Sequence, residues 1–241
     1  LILPDPYAID TNRFLKSLNG AYKGSAIVGG LLSGAGGPGE NVLIMNGEVY
    51  SEGLMGVVLS GAINAQTVVS QGCRPWGASF VVTKAKDNLI FELGGQPFYK
   101  VLEGVLKSGT DFDRHLAREA IFVGIVINEY KSKFTKGDFL IRPLMAVDPN
   151  NGAGAIGDYI SVGQTIQFHL RDAKTATDDL HELLSQQKQN SKHPPQGALV
   201  FSCNGRGLGL FKELNHDIQI IQQYLGPIPA AGFFCAGEIG P

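Results

Sequence analysis

The chain has 241 residues, enough to bury one large core or two modest ones, and its formal net charge of -2 gives no electrostatic case for nucleic acid or an anionic membrane. Charged residues make up only 17% and glycine is plentiful at 32, a balance that favours buried sheets joined by tight turns over a disordered tail. Three cysteines, Cys73, Cys203 and Cys235, are too few and too scattered for a disulfide scaffold or a zinc site, and no apolar run reaches the roughly 20 residues that cross a bilayer.

In chain order, a strand Leu1–Leu3, a polar loop, a helix from about Asp10 to Leu18 and a strand Ala26–Val28 running into Gly29-Gly30 form one β-α-β-glycine unit. Asp10 caps the helix, and Phe14, Leu15 and Leu18 supply its apolar face. Val42–Met45 and Glu48–Ser51, joined at Asn46-Gly47, predict a hairpin with a primed turn. Strands at Leu54–Leu59, Thr67–Ser70, Phe80–Lys84 and Leu89–Leu93 extend an antiparallel set, and Gln71–Gly77 reads as a turn between two of them.

Helices are predicted at about Pro97–Lys107 and Asp111–Arg118, then a buried strand at Ile121–Ile127. Strands at Leu140–Val147, Tyr159–Ser161 and Thr165–Leu170 lead into a helix from about Thr175 to Gln189. After the polar, proline-paired linker Ser191–Gln196, a second β-α-β-glycine unit follows: strand Ala198–Ser202, loop, helix from about Leu210 to Leu225, strand Ile228–Ala231 into Gly232. The expected fold is α/β, with duplicated, pseudo-symmetric β-α-β units and mixed sheets flanked by helices.

Chemistry concentrates in a few places. The loop Cys203–Gly209 lies after a strand and before a helix, where free N–H groups suit a carboxylate or phosphate and Arg206 adds a planar fork. The alternative is a glycine-rich turn that lets helix and strand pack closely, and neither the dinucleotide fingerprint nor a Walker A loop is matched. Cys203 also stands where a low-pKa nucleophile would sit, although His115, His169, His181, His193 and His216 offer no base selected by spacing; a packed, inert cysteine is the plainer reading.

Along Ile166–Arg171 the residues alternate, so Gln167, His169 and Arg171 share one face, either a wall of a polar pocket or a solvated sheet face. Asp172 is placed to cap the next helix through Thr175 or to pair with an arginine. Arg74 and Trp76 could hold a carboxylate and an apolar body, or simply brace a turn. Glu238, the one acid in an apolar stretch, suits an ammonium group or an ion pair with Arg74 or Arg142.

The segments Phe201-Ser202-Cys203-Asn204-Gly205-Arg206-Gly207 and Gly232-Phe233-Phe234-Cys235-Ala236-Gly237-Glu238-Ile239-Gly240-Pro241 resemble the closing signature of the FIST domain. Gln71–Gly77, Val82-Thr83-Lys84, Phe139–Arg142, Asp148-Pro149 and Gln167–Ala173 follow in family order. The resemblance implies two domains, 1–118 as the later part of the FIST N region and 119–241 as most of the FIST C region, and with no initiator Met the chain reads as a fragment. It implies a sensory module in signal transduction that is not an enzyme and binds an amino acid or other small carboxylate, while the three scattered cysteines point to a reducing compartment, the cytoplasm or an organelle matrix.

On that resemblance the ligand-binding residues are Arg74, His169, Arg171, Cys203, Asn204, Arg206 and Glu238. The expected partners are a small molecule and a signalling protein such as a kinase or a ubiquitin-ligase component, without nucleic acid and without direct membrane insertion. Other branches of the family imply a haem-binding nitric-oxide sensor, with His169 as the axial ligand, or an F-box-type substrate adaptor. A cysteine enzyme built on Cys203 is the remaining alternative.

Overall fold

The computed structural model describes residues 1–241, which divide into two compact units, residues 1–69 with 181–241 and residues 70–180. In the first, β1 (Ile2–Pro4) and β2 (Gly29–Gly30) pair in parallel across α1 (Thr11–Ala21). Asp10 caps that helix by accepting from the Arg13 N–H at 3.0 Å. The predicted hairpin forms from β3 (Leu43–Met45) and β4 (Glu48–Tyr50), with Asn46 and Gly47 both at positive φ, 55° and 83°. Type I′ geometry needs two such residues in succession, and Asn-Gly tolerates it best. Of the strand expected at Leu54–Leu59 only β5 (Leu54–Gly56) forms, antiparallel to β1, and Thr67–Ser70 is not a strand.

Residues 70–180 build a closed barrel, which local patterning did not reveal. Its strands are β6 (Cys73–Lys86), β7 (Leu89–Leu93), β9 (Phe122–Val126), β10 (Phe139–Val147), β11 (Gly154–Ile156) and β12 (Thr165–Arg171), with the short β8 (Gln96–Pro97) beside β7. The order β11-β10-β9-β12-β6-β7 is closed by Gly154 and Ala155 pairing with Ile90 and Leu89, so no strand of the ring has a free edge. Gln71–Gly77, expected as a turn, is mostly strand: Cys73–Trp76 pair with Arg171–Phe168, and the register slips at Gly77, where φ is 74°. A bulge, not a reversal, is what that glycine serves.

The barrel is filled by Val82, Ile90, Leu93, Val123, Ile166, Phe168 and Leu170, and by Phe98 from α2 (Phe98–Ser108). Phe98 meets Phe168 nearly edge-on, with ring centroids 5.6 Å apart. α3 (Asp111–Glu119) opens on a capping box, in which the Thr110 hydroxyl accepts from the Asp113 N–H while Asp113 accepts from the Thr110 N–H. The strand expected at Tyr159–Ser161 is a loop; β11 takes its place.

α4 (Ala173–Asn190) follows β12, then β13 (Ala198–Cys203) and β14 (Ala230–Cys235) pair in parallel in register from Ala198↔Ala230 to Cys203↔Cys235. Between them the single helix expected from Leu210 to Leu225 is broken into α5 (Leu208–Phe211) and α6 (His216–Leu225), because Lys212 and Asn215 both take left-handed conformations. β15 (Glu238–Ile239) adds antiparallel to β2, which makes the sheet β15-β2-β1-β5 mixed. The fold is mixed α/β with flanking helices. No helix is long and apolar enough to cross a membrane.

Candidate functional site

The helix break sets the chemistry of the loop after β13. α5 is a single turn, too short to present a sizeable dipole to an anion, and the carboxylate that Arg206 grips comes from the protein itself. Asp217, in the first turn of α6, accepts from Arg206 Nε and Nη2, both at 2.7 Å, a bidentate pair. The Arg206 guanidinium lies 5.1 Å from the centre of the Phe211 ring, and Phe211 stacks on His216 at 3.5 Å with an angle of 8°. His216 Nδ1 is 2.9 Å from Asp217 Oδ1. Burial by itself raises the Asp217 carboxyl, but hydrogen bonds and charge from Arg206, then His216, outweigh it and hold it below the usual carboxylate range.

One atom of this cluster is unsatisfied. The Arg206 side chain is 6% exposed, and its Nη1 is buried without an acceptor. A buried donor left unmade costs about 1–3 kcal/mol, more when charged, so such an atom calls for an explanation. Asp217 and the role of His216 escaped sequence reasoning because a continuous helix from Leu210 would have put both in its middle. The available signal was Asn215-His216-Asp217, a helix start with an acid in the first turn.

The neighbours of Arg206 in sequence lie close by. Cys203 Sγ accepts from the Gly205 N–H at 3.4 Å, and exposed Asn204 donates its N–H to the Cys235 carbonyl at 2.9 Å. Glu238 is exposed, opposite Gly30 in the β15–β2 pair. The ion pairs expected for it with Arg74 or Arg142 do not form: Arg142 binds Asp158 at 2.6 Å, and Arg74 is held elsewhere.

Arg74, His169 and Arg171 all belong to residues 70–180. Arg74 reaches Asp113 Oδ1 through Nη2 at 2.6 Å and Asp172 Oδ2 through Nε at 3.2 Å, tying together the starts of α3 and α4. Asp172 does both things foreseen for it, since its carboxylate also accepts from the Thr175 N–H and hydroxyl, each at 2.8 Å. The Arg171 guanidinium stands 4.6 Å over the Phe122 ring.

His169 is 2% exposed, neither in a polar pocket nor on a solvated face. Its ring meets Phe139 edge-on at 4.9 Å and covers Gly124, where a Cβ would fall 2.4 Å from its Cε1. Burial pushes its pKa down, so the ring is neutral, and Nδ1 lies 3.0 Å from the Gln167 carbonyl. So closely packed a ring does not fit an axial ligand to haem. The seven candidates thus form two groups: Cys203, Asn204, Arg206 and Glu238 in one unit, and Arg74, His169 and Arg171 in the other.

A closed antiparallel barrel and a separate α/β unit, with a glycine-rich loop and a buried arginine at a strand end, define a mixed α/β protein whose class the fold alone does not fix. The chain belongs to the FIST family: the FIST N domain matches residues 1–96 and the FIST C domain residues 99–241. The barrel draws β6 and β7 from the first match and β9 to β12 from the second. Among similar proteins, the uncharacterized Rv0628c of Mycobacterium tuberculosis (strain ATCC 25618 / H37Rv) is 43% identical over 242 residues. The uncharacterized Mb0898c of Mycobacterium bovis is 40% identical over 241 residues. Each alignment takes in 100% of this chain but only 63% and 62% of the relative, so the chain spans less than two thirds of the curated proteins it matches. No solved structure matches it.

Proposed function

We propose that the chain is the sensory, ligand-binding part of a signal-transduction protein and that it takes a small carboxylate, such as an amino acid, at the loop after β13. FIST domains are generally associated with sensing in signal transduction, which supplies the class. The observation that carries the ligand chemistry is Arg206 Nη1, a charged donor kept in place by Asp217 and left without an acceptor. A carboxylate oxygen is the strongest acceptor for such a group. Gly205 and Gly207 flank the arginine, the latter at φ 74°, a conformation that side-chain-bearing residues rarely adopt. Occupancy would alter how the loop is presented to a protein partner, a kinase or a ubiquitin-ligase component, in a cytoplasmic or matrix setting.

We infer further that the segments Leu1–Gly30 and Ala198–Gly232 are repeats of one β-α-β design. Both pair their strands in parallel, and in both a glycine of the second strand closes on a carbonyl of the first.

The test is a thermal-shift screen of the full-length protein against amino acids and small carboxylates, followed by calorimetry on Arg206→Lys. Lysine keeps a positive charge beside Asp217 but withdraws the Nη1 donor. A ligand that binds only the folded state raises the melting temperature. Loss of one charge-assisted hydrogen bond, about 1.5–3 kcal/mol, should weaken its binding about ten- to a hundredfold. An affinity unchanged in Arg206→Lys overturns the assignment.

A further inference from the structure

Two of the three cysteines meet at the carboxyl ends of β13 and β14. Cys203 and Cys235 are register partners, and parallel partners point their side chains to the same face of the pair. Their Cα atoms are therefore separated by the inter-strand spacing, about 4.8 Å, within the roughly 4.4–6.8 Å that a disulfide spans. The two thiols differ in access. Cys203 is half-buried, whereas Cys235 is fully enclosed beneath Gly30, where a Cβ would fall 2.8 Å from the Cys235 Cβ and 3.2 Å from its Sγ.

We propose that Cys203 and Cys235 form an oxidation site that hydrogen peroxide or a small organic hydroperoxide converts to a disulfide. Cys203 is the sulfur an oxidant reaches, and its Sγ accepts from the Gly205 N–H at 3.4 Å. Its thiolate attacks the peroxide, an S–O bond forms as the O–O bond breaks, and water (or the alcohol) leaves with the proton the thiol gave up. Cys203 is then a sulfenic acid. The Cys235 sulfur attacks Cys203 Sγ, the S–S bond forms as the S–O bond breaks, and the departing hydroxide takes the Cys235 proton as a second water. Two thiols and one hydrogen peroxide give one disulfide and two waters, with no other reductant or oxidant.

The environment of Cys235 keeps it from being the first sulfur oxidised. Burial, then the charge of Glu238, pushes its thiol up to about 12, so it stays protonated and does not compete for the oxidant. It is consumed only once its neighbour has been activated. The bond would tie the end of β13 to the end of β14 at the residue that opens the Arg206 loop.

The experiment treats the full-length protein with hydrogen peroxide, removes the excess with catalase, blocks remaining thiols with N-ethylmaleimide and maps peptides without reduction. The expected result is the loss of two hydrogens in intact mass, a linked pair of peptides carrying Cys203 and Cys235, an alkylated Cys73, and full reversal by a phosphine reductant. Cys235→Ser should give no linked pair and a Cys203 sulfenic acid trapped by dimedone. The wild-type map decides by itself if that variant does not fold. Sulfinic or sulfonic acid at Cys203 with Cys235 still alkylated after denaturation overturns the proposal, as does recovery of both thiols unchanged.

Discussion

Gly29 and Gly232 stand in the same relation to two different strands. A Cβ on Gly29 would fall 1.8 Å from the Ile2 carbonyl oxygen, and one on Gly232 would fall 1.8 Å from that of Val200. In each case the atom approached is backbone of the parallel neighbour, which no rotamer change can move aside. Alanine at either position therefore forces the strand pair apart. Each substitution is expected to cost more than about 4 kcal/mol, well above the usual range for a single change. Gly20, inside α1 with nothing within 4 Å, is the control, where alanine should be neutral or gain up to about 1 kcal/mol. Urea midpoints of the three variants measure this, and a Gly232→Ala midpoint equal to wild type would show that the pair relaxes.

Arg206 is buried and its partner Asp217 half-buried, which sets what truncation does. Arg206→Ala leaves the Asp217 carboxylate without its guanidinium, and Asp217→Ala leaves a buried guanidinium without its carboxylate. Each should lose about 3–5 kcal/mol, while the double alanine variant should lose clearly less than the sum. A double-mutant cycle by chemical denaturation gives the coupling, and strict additivity would mean that water already screens the pair.

Asp113 makes the barrel unit sensitive to acid. The bond from Arg74, with those from Thr110, lowers its carboxyl from 3.8 to about 2. Its pKa is depressed in the folded state, so its contribution is complete above 3.8 and drains away as the pH falls from there towards about 2. Asp113→Asn should lose stability at pH 7 and show a flatter decline through that window than wild type. Equal slopes in a denaturation series across it would refute the role.

His169 produces a second pH effect, in a different window. Its neutral form is favoured by burial, so below the ordinary value of 6.5 the unfolded chain takes up a proton that the folded chain refuses. Stability due to this residue is full above 6.5 and falls with pH until the folded ring itself is protonated. His169→Phe, which keeps an aromatic ring against Phe139, should shrink the stability difference between pH 7.5 and pH 5. An unaltered difference would place that dependence in other groups.

Local signals in the sequence were sufficient wherever the structure depends on neighbours along the chain. Asn46-Gly47 specified a primed turn because two left-handed residues in a row are costly for other pairs. α2, α3 and α4 followed from apolar spacing, and the Asp172 cap from its distance to Thr175. The family was legible in the glycine-rich loops, whose residues lie close in sequence.

Tertiary structure decided what rests on partners far apart. Strand periodicity says which residues share a face but not which strand lies alongside, so neither the pairing of β7 with β11 that closes the barrel nor the bulge at Gly77 could be read in advance. Alternation puts His169 on a polar face, a pocket wall or a solvated surface, but Phe139, thirty positions earlier, covers that face instead. The break between α5 and α6 depends on two non-glycine residues adopting left-handed conformations that helix propensity disfavours, and only the grip of Arg206 on Asp217 shows what the break achieves. Distance along the chain, and the energy of burying charge against charge, separate these features from those the sequence alone determined.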